Sequence, residues 1–186
     1  MTAITVVSAG DDIEAAWGAA VADAINSTTR TSNESTTNTE EQSIGRTFAA
    51  NTLAAGTCIR LEGWYTITSS AANTVTFRAR IGASSLSGTV AAQVAPTTTN
   101  TASDHSVHVT ALITIRSVGS SGTAIGGMSF VAIENQPFTV GHRTDQETAT
   151  ITVDTTASRV VELTAVASAG TTTIVCRQAF LQVIRP

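Results

Sequence analysis

The amino-acid sequence predicts an all-β protein, a jelly-roll-type antiparallel β-sandwich preceded by a short N-terminal amphipathic helix and an extended polar linker. Two changes of pattern lead to this prediction. Residues 11–25 carry apolar side chains at helical spacing, whereas almost every apolar run from residue 47 onward alternates with a period of two. Between these parts, residues 26–45 are almost entirely polar and have little to bury.

The predicted helix lies within residues 1–26, after an extended arm at residues 2–8. Asp11 or Asp12 can cap it, because a carboxylate there accepts hydrogen bonds from unpaired backbone N–H groups. A helix of this length is marginal on its own in water. We therefore expect its apolar side to dock on a partner, on the chain's own β-domain or on copies of itself. The side chains that form this anchor or oligomer interface are Ile13, Trp17, Ala20, Val21, Ala24 and Ile25.

The linker is assigned to residues 27–45, which are rich in Ser, Thr, Asn and Glu. Such a segment cannot repay its ordering entropy by burying apolar surface. We expect it to be disordered or to lie extended along the surface of another protein. The β-sandwich domain is then expected to span residues 46–186.

The sandwich is predicted from strand-like runs separated by Gly and Ser turns. Inward side chains alternate with outward ones, as in Val75, Phe77, Ala79 and Ile81. The last two runs are interpreted as a hairpin across residues 168–171. An immunoglobulin-like sandwich is the alternative, but the sequence lacks a Cys–Trp–Cys pattern of suitable spacing. The predicted strands cover residues 57–68, 73–81, 106–116, 128–133, 149–153, 159–167 and 172–184.

Composition limits the classes of function. Charged residues make up 13% of the chain and the formal net charge is −4, which argues against nucleic-acid binding. No apolar run reaches the ~20 residues that span a bilayer, and residues 1–9 do not have the pattern of a signal peptide. We therefore expect synthesis in a cytoplasm and no membrane partner.

All ten basic residues are Arg, whose planar guanidinium suits ion pairs at interfaces. Arg78 and Arg80 are predicted to point outward from one strand. There they could form ion pairs between subunits.

No pattern of side chains points to catalysis, a cofactor or a metal. His105 and His108 are three residues apart in one strand, so they point to opposite faces and cannot bind one metal together. Residues 119–127 are Gly-rich but lack the following Lys of a phosphate loop, and are interpreted as a loop between strands. Cys58 and Cys176 are interpreted as buried small side chains, with one disulfide as the alternative. We expect no enzymatic activity.

Several segments resemble bacteriophage virion proteins. The opening ITVVSAGDDIEAAWGAAVADAIN is similar to their arm, Ala-Gly turn and short helix. The runs NTLAAGTCIRLEGWYTIT and NTVTFRARIG resemble the first two strands of phage jelly-roll domains, and SVHVTALITIRSVGSSGTA resembles a later long strand and turn. The resemblance implies a homotrimeric β-sandwich that is part of the virion. The first expectation is a capsid decoration or head-fibre protein that binds the major capsid protein or another virion protein.

The resemblance also extends to tail fibres and tail tips, where the same domain would bind a receptor or a glycan. Glycan sites usually expose aromatic side chains, and the candidates are Trp64, Tyr65, Phe130 and Phe138. The number of copies per particle separates the two placements. Hundreds of copies would indicate capsid decoration, whereas a few to tens would indicate the tail.

Overall fold

A computed structural model describes residues 27–28, 39–98, 101–132, 142–146 and 150–184. In these residues the regular structure is entirely β, in two antiparallel sheets that form a sandwich, which confirms the predicted all-β class. The predicted helix and its six interface residues fall outside the described part of the chain. Within that part, no helix is long and apolar enough to cross a membrane.

The strands alternate between the two sheets along much of the chain. The larger, seven-stranded sheet has the order β1-β11-β3-β6-β7-β8, with β9 also pairing with β7, and the smaller sheet has the order β2-β10-β4-β5. All of these pairs are antiparallel. The strands are β1 (Ser27–Thr28), β2 (Glu41–Phe48), β3 (Cys58–Ser69), β4 (Val75–Gly82), β5 (Thr89–Val94), β6 (Thr101–Ser117), β7 (Thr123–Ala132), β8 (His142–Gln146), β9 (Ile151–Thr152), β10 (Arg159–Ala167) and β11 (Thr172–Ile184).

Small aliphatic side chains fill most of the core between the sheets. The predicted inward residues of β4 are all buried, as are the alternate residues of β6 from Val107 to Ile115. Three aromatic rings cross the sandwich: Tyr65 lies 4.8 Å from Phe77, and Phe77 lies 6.1 Å from Phe130, measured between ring centroids. The alternation in the sequence therefore identified the buried sides of these strands correctly.

The predicted hairpin across residues 168–171 is wrong. Strand β10 pairs with β2 and β4 in the smaller sheet, whereas β11 pairs with β1 and β3 in the larger sheet. The connection is a corner, at which Ser168 N donates to Thr74 O and Ser70 N donates to Thr171 O. A turn signal shows that the chain reverses, but the hydrogen-bond partners of each strand depend on distant residues.

Two boundaries also differ from the sequence prediction. Strand β2 begins at Glu41, ahead of the expected start of the sandwich at residue 46, because Ser43 and Ile44 are buried against β10. The Gly-rich loop is shorter than expected, since β7 starts at Thr123 and includes Gly126. A Cβ at Gly126 would lie 2.3 Å from the Ala91 carbonyl oxygen of the facing sheet, so this position needs a glycine.

Gly63 has a comparable steric role in the centre of β3. The ring of Tyr65, two residues along on the same face, lies over Gly63, and a Cβ there would come within 2.5 Å of the ring. Tyr65 is fully buried, so its ring has little freedom to move aside.

We predict that Gly63→Ala lowers the free energy of unfolding by about 1–3 kcal/mol, the usual cost of overpacking a core. Urea denaturation followed by circular dichroism measures the loss. The same substitution made in a Tyr65→Leu background should cost much less, because the ring that it meets is gone. Equal costs in the two backgrounds would contradict the steric explanation.

Candidate functional site

Five side chains gather on the outer face of the larger sheet, and we call them the aromatic cluster. Strand β3 contributes three of them, and β6 and β11 contribute one each, on directly paired positions. The rings of Trp64 and His108 are stacked, with 4.4 Å between their centroids and 18° between their planes. The Phe180 ring lies 5.8 Å from the Trp64 ring and is tilted by 33° against it. The members are Arg60, Glu62, Trp64, His108 and Phe180.

Glu62 is the unusual member, because its side chain points away from the core yet is only 4% exposed. It forms an ion pair with Arg60, and its Oε2 lies 3.3 Å from Nε2 of His108. A buried carboxylate needs such partners, since losing its hydration without them is costly. Strand alternation in the sequence places Glu62 on the outer face, beside Arg60 and Trp64, but gives no sign of its burial, which depends on side chains from neighbouring strands.

The stacking limits what Trp64 can do as a binding residue. Aromatic side chains bind sugars by stacking against the C–H groups on one face of the sugar ring, and His108 occupies one face of Trp64. Two other aromatic side chains weighed as glycan contacts, Tyr65 and Phe130, are buried in the core, and Phe138 lies outside the described residues. Trp64 is therefore the one described candidate among the four that lies on an outer face.

The outer face of the smaller sheet is polar and charged. Both arginines that the sequence predicted to pair between subunits lie on one carboxylate of their own chain: Arg78 Nη1 and Arg80 Nη2 are each 2.8 Å from Glu40 Oε2. Arg80 Nε also donates to Glu40 Oε1, and so does the hydroxyl of Thr164. A contact of these arginines with a second subunit stays a prediction.

The pKa of Glu40 reflects this setting. Burial raises it, but hydrogen bonds from Arg80 and Thr164 and the charges of Arg78 and Arg80 outweigh burial, so the pKa lies below its ordinary value of 4.5. Glu40 belongs to the segment that the sequence assigned to a polar linker. The structure shows that this end of the segment is fixed to β4 and β10.

A second buried carboxylate, Glu162, holds the β4–β5 loop against the same face. Its oxygens accept hydrogen bonds from Gln42 Nε2, Ser85 Oγ and the backbone N–H of Leu86, each at 2.6 Å. Leu86 has a φ of 62°, a left-handed conformation that costs a non-glycine residue energy. The hydrogen bond to Glu162 offsets part of that cost and keeps the apolar Leu86 side chain exposed.

A polar pocket of about 220 Å³ lies where β4 and β5 approach the segment that precedes β10. Asp154 and Arg159 form an ion pair of 3.0 Å at its rim. Hydrogen bonds from Thr156, together with the charge of Arg159, hold the pKa of Asp154 below its ordinary value. In the described part of the chain, no group of three or more His, Cys, Asp or Glu is placed to hold a metal ion.

The remaining sequence candidates are not brought together. His105 is buried on the core side of β6 while His108 lies on the outer face, as their spacing predicted, and the side chain of His142 is outside the described set. Cys58 and Cys176 are both free thiols, so the alternative of a disulfide is wrong. They lie on the neighbouring strands β3 and β11, but Cys176 pairs with Tyr65 and Cys58 with Ile184.

No protein-family model and no curated protein sequence matches the chain. Among solved structures, it is similar to the CBM2 module of the evolved Dit of Lactobacillus casei BL23 phage J-1. The TM-score is 0.36 and the identity 11%, over 76% of this chain and 69% of that chain. Few residues correspond at this identity, so the candidate sites are defined by the geometry of this chain alone.

We predict that Glu40→Gln lowers the free energy of unfolding at neutral pH by about 2 kcal/mol, the scale of hydrogen bonds to a charged group. A carboxyl whose folded-state pKa is depressed stabilises the fold above its unfolded pKa and stops doing so once it is protonated. The difference from wild type should therefore shrink as the pH falls below about 4.5. Urea denaturation at a series of pH values measures it.

The adjacent carboxylate of β2 provides the matched control for this experiment. Glu41→Gln changes the net charge equally but leaves the contacts of Arg78 and Arg80 with Glu40 in place. It should cost much less at neutral pH. A Glu40→Gln deficit that stays constant into strong acid would contradict the ion-pair explanation.

Proposed function

We propose that the chain is a structural protein of a bacteriophage virion, a trimeric capsid decoration or head-fibre protein attached through residues 1–26. The observation that carries the proposal is the nested strand pairing. Strand β1 pairs with β11, β2 with β10, β3 with β6 and β4 with β5, each pair enclosed by the one before. A long hairpin rolled up in this way is a jelly roll, an architecture of viral capsid and lectin domains.

The placement of the N-terminal segment supports an attached and displayed body. Ser27 and Thr28 pair with β11 at the edge of the larger sheet, so the first described residues of the chain lie at one edge of the sandwich. The chain is fixed to the body again by residue 40, through Glu40 and its two arginines. Residues 29–38 therefore connect two fixed points, and the attachment segment is the part that precedes Ser27.

Trimer formation and the major capsid protein as partner belong to the same proposal. They are supported by the resemblance of the sequence to phage virion proteins and by the small side chains of the core, which make subunit contacts useful for stability. Placement in the tail is the other form of the proposal. The proposal assigns the protein no catalytic role, cofactor, nucleic acid or membrane.

We predict that a chain lacking residues 1–26 stays folded but no longer binds virions. The deletion ends before Ser27, because β1, Glu40 and β2 are parts of the folded body. Phage particles that lack the protein are mixed with the full chain or the truncated chain and purified, and the bound protein is counted by quantitative mass spectrometry. Cooperative unfolding of the truncated chain verifies that the body is intact.

Two controls make the result decisive. A full-length chain with Trp17→Asp should lose attachment as the truncation does, whereas Leu86→Asp on the body should not. Full attachment of the truncated chain would contradict the role of residues 1–26. Hundreds of copies on each particle would support capsid decoration, and a few to tens would place the protein in the tail.

A further inference from the structure

The outer face of the larger sheet carries apolar side chains that the sandwich leaves exposed. Leu112 is 44% exposed, Val131 37% and Ile184 47%, and strand alternation places all three on this face, together with the half-buried Trp64 and Phe180. The other large apolar side chains that are exposed in the described residues, Leu86 and Val118, lie in connections between strands.

The outer face of the smaller sheet has the opposite character. It presents ion pairs and hydrogen bonds of Glu40, Arg78 and Arg80, and its carboxylate Glu162 is fully bonded. A β-sandwich with one polar and one apolar outer face is typical of a domain that is solvated on one side and covered on the other. The larger sheet is therefore the side that needs a cover.

The first described residues of the chain lie next to this face. Going toward the N-terminus, the last described residue is Ser27, whose Cα partner is Phe180 of the aromatic cluster. Residues 11–25, the predicted amphipathic helix, precede it by a single residue. Because Ser27 lies at the edge of the larger sheet, a segment that precedes it would need only one reversal of direction to reach the outer face.

We propose that in the free protein the apolar side of residues 11–25 packs across the outer face of the larger sheet of the same chain. The dimensions agree. A helix of 15 residues is about 22 Å long at 1.5 Å per residue. The distance from β1 across β11, β3 and β6 to β7 is about 19 Å at 4.8 Å per strand. Leu112 lies on β6, the fourth of these five strands, beside Gly127, which leaves room for a helix to approach.

Charge favours the same placement. The acidic side chains of residues 11–25 have no basic neighbours in that segment, while arginines reach the outer face of the larger sheet or its margin. Arg177 donates to Thr66 on this face, and Arg116 is exposed on the same side of β6. The charge of Arg60 is matched by Glu62, so this pair leaves the balance unchanged. The acidic residues are Asp11, Asp12, Glu14 and Asp23, and the arginines are Arg116 and Arg177.

The inference concerns the purified protein and does not depend on attachment to a virion. This packing would bury the apolar side of the helix after the protein is synthesised and before it attaches to a virion. It also implies that the helix must leave this face before its apolar side chains can bind another protein.

The chain has two tryptophans, Trp17 and Trp64, so Trp64→Phe makes Trp17 a specific reporter. Indole emission shifts to shorter wavelength and resists acrylamide quenching when the ring is buried among apolar groups. We expect both properties for Trp17 in the full-length Trp64→Phe protein. Adding Leu112→Asp and Val131→Asp should shift the emission to that of an exposed indole, because these changes remove apolar surface and repel an acidic helix.

The control carries Leu86→Asp and Val118→Asp, which introduce the same charges at equally exposed apolar positions away from the face. It should leave the emission of Trp17 unchanged. Exposed-type emission in the starting protein, or buried-type emission that survives Leu112→Asp and Val131→Asp, would overturn the proposal. So would burial that appears only as the protein concentration and the sedimenting mass rise, because the helix would then lie on another copy. Melting curves of each variant verify the folded body.

Discussion

The close approach of two sheets over a core of small side chains is the constraint on which the structure depends. With 4% aromatic residues, the chain has few large side chains to hold the sheets apart. Backbone therefore comes near backbone, as where Gly126 meets the Ala91 carbonyl. The three rings that do cross the core require space of their own, and Gly63 provides it beneath Tyr65. The glycines in these strands are thus part of the packing.

A thin core also shifts part of the stabilisation to the outward sides of the strands. Glu40, Glu62 and Glu162 all point away from the core. Donors from other strands and loops hold Glu40 and Glu162, whereas Glu62 contacts Arg60 of its own strand and His108 of β6. Hydrogen bonds to a carboxylate are stronger than those between neutral groups. These networks connect β2, β4 and β10 on one sheet, and β3 and β6 on the other, where aliphatic side chains alone would add little.

The sequence was sufficient for features that depend on local alternation and insufficient for those that depend on distant neighbours. It identified seven strands, the inward residues of β3, β4 and β6, and the opposed directions of His105 and His108. It missed β1, β2, β5 and β8, and it treated β10 and β11 as a hairpin. The sequence of β2 is mostly polar and gives no strand signal of its own. Its pairing could not be foreseen, because its partner β10 lies more than a hundred residues away. Glu62 and Glu162 gave no signal either, since their burial comes from side chains on other strands and loops.

Nested pairing links the fold to the question of attachment. Because the first described strand pairs with the last, Ser27 lies at the edge of the larger sheet, beside the apolar outer face. The apolar side chains predicted to anchor the protein are the ones that would cover this face in the free chain. They cannot do both at once, so the proposed binding to a virion would have to repay the free energy of uncovering Leu112, Val131 and their neighbours. Attachment would then favour a site that buries more apolar surface than the body does, or one that also covers the vacated sheet with a second subunit.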